Sequence, residues 1–585
     1  MNPEVKSCQN CKSEFPIEPE DFEFYAKVAV PPPTWCPTCR TMRRAMFGNY
    51  SLLFRKTEKR TGKVLFSTYP EASPYEIYEH DYWWSDAWDA MEYGRDYDFS
   101  RPFFSQFYDL LRSVPLPSKA VRGMINSDYS NAASYLKNCY LVFNGGECEN
   151  CYYSNGILRA KECIDTYGLI DSELCYEVFQ GTNNYQCFFS TNLIQCMNVW
   201  FSENCTGCQD CFGCVGLKQK QYCLFNEQLS KEEYGRRVAE LNTGSYKALE
   251  AIRARVREVA LIVPHKFYHG GRCVDVSGDY LFDSKNAHDA YEASGMENVR
   301  YSDNLAQNIK DCYDYTSWGE NVELLYESIQ CGDGCSKLKF CNNCWPAMRE
   351  SEYAFHCQSS ANLFACAGLR KKQYCILNKQ YSKEEYEELR IKIIQHMDAM
   401  PYVDAHGRTY KYGEFCPPEF SPLAYNETLA NNYFPKTQAE ISAMGFLWRE
   451  PDARQYEITI QATDLTDDIA EAGDNITAEQ IACLGCKRAY RILPYELNFY
   501  RRFSAPLPRQ CHLCRYRARV NQRNPRRLYQ RSCQCAGDKS SNGIYTNTGA
   551  HDHGSSICPR NFKTTYSPER KEIVYCEPCY QREKM

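Results

Sequence analysis

Short apolar and aromatic pieces alternate with polar residues through the middle of the chain and recur at a fixed interval. From residue 131 the pieces NCYLVF, NCYYSN, ECIDTY, LCYEVF and QCFFST carry Cys139, Cys151, Cys163, Cys175 and Cys187, spaced 12 residues apart without a slip. Each piece alternates small or polar with aromatic residues, the pattern of a half-buried strand. Short strands separated by Asn, Gly and Ser predict a stacked β-solenoid. Two strands would make a turn of about 22–24 residues, and like residues would stack into Cys and Tyr ladders. A looser array follows Cys273, in which AHDAYEA, NVRYSDN, IKDCYDYT, VELLYES, YAFHCQ and ANLFACAG recur at roughly 10–17 residues.

Both arrays close with nearly the same element. GLKQKQYCLFNEQLSKEEY (216–234) and GLRKKQYCILNKQYSKEEY (368–386) agree at 13 of 19 positions. In SKEEY a Ser N-cap is followed by acids in the first turn, so a helix is predicted to start there. The residues that follow, to about 258 and 398, fit amphipathic helices that would cover the open edge of each solenoid.

The two ends of the chain repeat each other. Cys8, Cys11, Cys36 and Cys39 form CxxC, 24 residues, CxxC, and Cys483, Cys486, Cys511 and Cys514 repeat that spacing 475 positions later. Fourteen of the 42 positions from Cys8 to Asn49 are identical in this gapless alignment, among them Arg40 with Arg515 and Arg44 with Arg519, so the segment is an internal duplication. A CxxC knuckle turns two thiolates toward one point, and two knuckles make a closed tetrahedral S4 site that suits a structural Zn2+. A 40-residue module buries too little apolar surface to fold alone, so the metal is expected to supply its folding energy.

These ribbons resemble the small bacterial zinc-ribbon modules that open with CxxC and close with CxxCR. The wider chain resembles long Cys-rich zinc-ribbon proteins of candidate-phyla bacteria, through YWWSDAWDAMEYGRDYDFSRPFFSQF (82–107), YNETLANNYFP (425–435) and the CxxCY tail. The resemblance covers most of the chain and implies an architecture but no mechanism.

Residues 533–579 hold a further set of ligand types: Cys533, Cys535, His551, His553, Cys558, Cys576 and Cys579. A third zinc is predicted on Cys533, Cys558, Cys576 and Cys579, with Cys535 and His553 as alternatives. The surplus of donors also leaves room for an open site or a second ion. Two clusters lie inside the arrays. Cys205, Cys208, Cys211 and Cys214 make CxxCxxCxxC, whose first three members match iron–sulfur spacing. The fourth is one residue too close for the ferredoxin run and no Pro follows, so small core thiols are the expected reading, as for Cys331, Cys335, Cys341 and Cys344.

The fold class expected is therefore mainly β, with zinc ribbons at both ends flanking two Cys/Tyr-rich β-solenoids with helical caps. In order these are a ribbon (1–50), an aromatic connector (51–130), a first solenoid (131–230) with its capping helix (231–268), a second solenoid (269–380) with its capping helix (381–400), a connector (401–477), a second ribbon (478–528) and a C-terminal zinc module (529–585). A chain of 585 residues with 43% hydrophobic content can bury several cores. Its opening MNPEVKSCQNCKSEF has no signal-type apolar stretch and the chain has no apolar run of about 18 residues, so its 35 Cys are expected as reduced thiols and metal ligands of a cytoplasmic protein away from any membrane.

Charge suggests the partner. Net charge is −6, but from Lys487 to Arg531 thirteen Lys or Arg face one acid, Glu496, and from Arg40 to Lys63 eight basic residues face Glu58. Such stretches with interleaved aromatics suit phosphate and base contact. Nucleic acid, RNA or DNA, is thus the expected partner, gripped by Arg40, Arg43, Arg44, Arg515, Arg517, Arg519, Arg523, Arg526 and Arg527. The plainer reading is a solvated helix face balanced by Asp464, Asp467, Asp468, Glu471 and Asp474. No phosphate loop, HExxH or nucleophile signature occurs, and acids such as Asp311, Asp314 and Glu327 cannot be paired across turns from sequence. The expected function is a non-catalytic zinc-binding scaffold with two to three structural ions that binds nucleic acid. A protein–protein scaffold is the alternative, and an enzyme or redox protein using the Cys clusters comes third.

Overall fold

The computed structural model describes residues 3–450 and 456–584. It is strand-rich, with cysteine tetrads near both ends. Through the first array nearly every third residue turns the backbone left-handed, with φ of 53° at Asn138, 52° at Leu141, 49° at Asn144, 53° at Glu147 and 54° at Asn150. An L residue in this region costs about 1–2 kcal/mol, least for Asn and Asp. The polar-rich pieces between the cysteines accommodate that turn, and hydrogen bonds to the neighbouring interval offset it. Tyr140 N–H donates to Cys151 O at 3.0 Å, and Tyr153 N–H to Tyr140 O at 2.9 Å.

Every parallel pair in this array joins a residue to its counterpart one cysteine interval later. Lys137 pairs with Glu149, Tyr140 with Tyr152, Phe143 with Asn155 and Gly146 with Leu158, four bridges in one interval. The repeat is therefore a single cysteine interval, about half the two-strand coil expected, because a left-handed residue at every third position cuts each strand into short sides. It also changes the side-chain period from 2 to 3, so Cys139, Val142, Cys148, Cys151, Ile157, Ala160 and Cys163 are buried together. Pairing begins at Val121, opposite Ala133, ahead of the expected start at 131. Outside, Asn126 donates to Asn138 at 3.1 Å and Asn138 to Asn150 at 3.3 Å, an amide ladder along the stacking direction.

The second array also pairs in parallel, with a less regular offset, as in Val274 with Lys285, Tyr291 with Asp303 and Tyr313 with Tyr326. Both arrays end in a short antiparallel return, Gln221–Leu224 with Glu227–Gln228 and Gln373–Ile376 with Lys379–Gln380. Helices follow where SKEEY predicts them: the Ser230 and Ser382 hydroxyls each accept from a backbone N–H three residues on, at 3.2 Å. The first expected cap is two helices, Lys231–Ala239 and Tyr246–Ile262, and Leu249, Ile252 and Val256 of the second pack on Phe201, Phe212 and Leu224.

The chain forms two units: Met1–Ala120, Tyr268–Glu450 and Arg526–Leu528 in one, and Val121–Phe267, Pro451–Pro525 and Tyr529–Met585 in the other. The first ribbon thus belongs with the second array. The second ribbon and the C-terminal module belong with the first array. In the former unit the aromatic connector supplies the helix Phe103–Ser113, whose Phe103 and Phe107 lie 5.1 Å from Tyr353 and 5.5 Å from Phe355.

Candidate metal centres and the ribbon clamps

Each ribbon begins as a hairpin. Glu4–Ser7 pairs with Glu14–Ile17, and Ile481–Ala482 with Ala489–Tyr490. The turn between them closes on one left-handed lysine, Lys12 or Lys487, whose N–H donates to the carbonyl of Cys8 or Cys483 at 3.0 Å. That turn brings the first two thiols together. The second pair sits at the start of the helix Pro37–Ala45 or His512–Val520, where the free N–H groups favour a thiolate. Cys36 N–H donates to Cys8 Sγ, and Cys511 N–H to Cys483 Sγ, each at 3.2 Å.

The four Sγ atoms of each ribbon lie within 4.8 Å of one another. Cys11 and Cys36 are 3.7 Å apart, as are Cys486 and Cys511. A tetrahedron with Zn–S bonds of about 2.3 Å has S···S edges of about 3.8 Å, whereas a disulfide needs about 2.0 Å. The thiols therefore fit an ion and not a disulfide. In each ribbon one thiol, Cys8 or Cys483, is favoured as the thiolate, while Cys36 and Cys39, or Cys511 and Cys514, are raised. Hydrogen bonds from Cys36 and Cys39 hold the Cys8 thiol well below its usual range. Burial opposes ionisation of Cys483, yet backbone N–H groups of Cys486 and Cys511 bring it down to about 7.

Cys533, Cys558, Cys576 and Cys579 form the third tetrad, all buried. Cys558 is 3.9 Å from Cys576 and 3.8 Å from Cys579, and Cys576 N–H donates to Cys533 Sγ at 3.2 Å, as in the ribbons. A hydrogen bond from Cys533 lowers Cys576 to about 5. Cys535 and His553 are not members of this tetrad; they lie beside it with His551.

The ladder thiols behave differently. Each of Cys205, Cys208, Cys211 and Cys214 occupies one buried position of a single interval, at the period of 3. Their Sγ atoms donate to the carbonyls of Glu203, Thr206, Gln209 and Phe212, two residues back, at 3.3–3.6 Å. Cys331, Cys341 and Cys344 repeat the arrangement, and Cys335 donates to Gly332 O at 2.9 Å. Among the described residues neither cluster closes into a group of metal-ligand geometry.

Most of the arginines expected to face phosphate are engaged inside their own units. Arg40 donates to Asp314 Oδ2 and Arg44 to Asp314 Oδ1, both at 2.9 Å. Arg43 donates to Glu327 at 2.8 Å and to Glu414 at 2.7 Å. In the other unit the aligned residues make the same pattern: Arg515 lies 2.8 Å from Asp165 Oδ2 and Arg519 3.0 Å from Asp165 Oδ1. A tyrosine one interval earlier in the array completes each clamp. Tyr301 donates to Asp21 at 3.1 Å beneath Arg40, and Tyr153 to Glu496 at 2.9 Å beneath Arg515. Arg526 pairs with Asp303 at 2.9 Å. These six arginines are corrected from phosphate contacts to buried anchors, since a guanidinium held by carboxylates with almost no exposed surface cannot reach a ligand. Arg523 is half-buried over Tyr167, while Arg517 and Arg527 are exposed.

No sequence pattern points to Asp165 or Glu414, and Asp314 and Glu327 stand out there only as acids of a kind that serves catalysis. The available signal was the arginine pair four residues apart at aligned positions in both ribbons, which calls for one shared carboxylate on each partner surface. Among the described residues no helix is long and apolar enough to cross a membrane.

No protein-family model matches the chain, and no curated protein matches it. Among solved structures, a "putative acetyltransferase" from Desulfovibrio desulfuricans G20 is similar over 38% of this chain and 63% of that one, at 10% identity and a TM-score of 0.11, a likeness too slight to carry any argument.

Proposed function

We propose that the protein is a non-catalytic, zinc-stapled scaffold in which each ribbon locks onto a β-solenoid whose turn is one cysteine interval, leaving the outer faces of the solenoids for a protein partner. The solenoid reading is supported by the constant pairing offset, continued as far as Phe212 with Leu224. The observation that carries the functional reading is the repeated clamp, two arginines on one buried aspartate in each unit, which turns Arg40, Arg44, Arg515 and Arg519 inward. The stretch Leu158, Ile170, Thr182 and Ile194 of an outer column, linked by parallel bridges, carries apolar groups and no charge before the column reaches Lys218, as a protein-facing surface would.

Retention of the full chain on immobilised RNA and DNA tests this. The scaffold reading expects no retention between about 50 and 200 mM salt. Binding at the lower concentration that falls steeply by the higher would overturn it. A nucleic-acid role keeps one observation in its favour: Lys487, Arg488, Arg491 and Arg517 of the second ribbon are exposed. If retention is seen, charge reversal at these four positions should abolish it while the zinc stays bound.

A further inference from the structure

The C-terminal module places a second set of donors against its tetrad. Cys535, His551, His553 and Cys579 bring one ligand atom each within 4.8 Å of one another, and Cys579 belongs to both groups. The ring nitrogens are already sorted. His553 Nδ1 lies 2.7 Å from Ser556 O, so that nitrogen carries the proton and Nε2 presents its lone pair 3.4 Å from Cys579 Sγ. His551 Nε2 lies 3.0 Å from Glu583 Oε1, which leaves Nδ1 as the free donor. The Glu583 carboxylate is itself fixed by Thr548 N–H at 2.8 Å, Thr548 Oγ1 at 3.0 Å and Tyr545 OH at 3.1 Å. Asn547 Nδ2 donates to Cys535 Sγ at 3.3 Å. A histidine whose second nitrogen is held by a carboxylate or carbonyl is the usual arrangement around a bound metal.

We propose that the module is a two-metal centre, in which Cys535, His551, His553 and Cys579 hold a second zinc and the Cys579 thiolate bridges it to the ion of Cys533, Cys558 and Cys576. Each thiol loses its proton to solvent as the metal binds, and both imidazoles ligate as neutral rings. Five thiolates on two dications leave one net negative charge. Seven side chains fill two four-coordinate shells only by sharing one sulfur, so neither ion has a vacant position for substrate. The proposal rests on the C-terminal tetrad holding zinc and is independent of any partner.

Elemental analysis of the full chain, reduced and free of excess metal, reads the site by difference. The four groups predict about four zinc ions in the natural chain, about three in H551A/H553A, and about two in C579S. Failure of the ribbons to bind would lower all three counts by the same amount, so the loss of one ion in H551A/H553A belongs to this site. Equal zinc in the natural chain and in H551A/H553A would overturn the proposal. A second measurement does not depend on the variants folding. In the cobalt-loaded natural chain the shared thiolate should couple two Co2+ ions, so the paramagnetic spin count falls two short of the cobalt bound. A spin for every cobalt would overturn the bridge.

Discussion

Segments 205–214 and 483–514 both carry cysteines three residues apart, yet their thiols enter different chemistry. In the ribbon a single left-handed residue, Lys487, ends the turn, and the chain then leaves and comes back to the site at a helix start, so four sulfurs meet. In the array the left-handed residue recurs at every third position, so each sulfur faces inward from its own side and donates to the carbonyl two residues behind it. Spacing alone specifies a knuckle only where the intervening backbone turns once. Repeated turns make the same spacing a core ladder.

The largest effect that separates the two regions is expected from metal removal. A strong chelator should unfold both ribbons and the C-terminal module, withdrawing about 10–16 kcal/mol of binding energy per structural site, while the arrays keep their secondary structure. Circular dichroism with hydrogen exchange on the treated chain checks this, and loss of exchange protection across 131–224 would break the comparison. Next come the clamps. Asp165→Asn and Asp314→Asn each leave two buried arginines short of a counter-charge and should cost about 3–5 kcal/mol in denaturant unfolding with zinc content unchanged. The Asp165 clamp should be the more disrupted of the two, because Glu327 remains 3.8 Å from both Arg40 and Arg44, whereas Glu496 lies 3.8 Å from Arg515 alone. A ladder substitution, Cys175→Ala, removes a buried sulfur from a close-packed core and should cost about 1–2 kcal/mol with no loss of zinc. Smallest is Arg517→Glu on the exposed face of the second ribbon, expected within about 0.5 kcal/mol by the same assay.

Much of the outline was legible. The CxxC pairs, their duplication and the two Ser-capped helices were local patterns whose geometry follows from a few adjacent residues. The regular recurrence of Cys139 through Cys187 was visible as well. Its meaning was not, because side-chain alternation implies the period of an ordinary strand, and no local rule signals that Leu141, Glu147 and Tyr153 adopt positive φ. That conformation is disfavoured for such residues alone and is stabilised here by bonds to neighbouring intervals. Arginine density likewise indicated cationic character, but the carboxylate that engages Arg40 and Arg44 lies far along the chain, beyond any windowed reading.

The distinction between closed tetrads and ladder thiols is tested most directly by counting zinc in two single-cysteine variants of the full chain. Cys486→Ser should hold one ion fewer than the natural protein, and Cys208→Ala should hold the same number, with no iron in either. Zinc lost from Cys208→Ala, or retained in full by Cys486→Ser, would contradict the account.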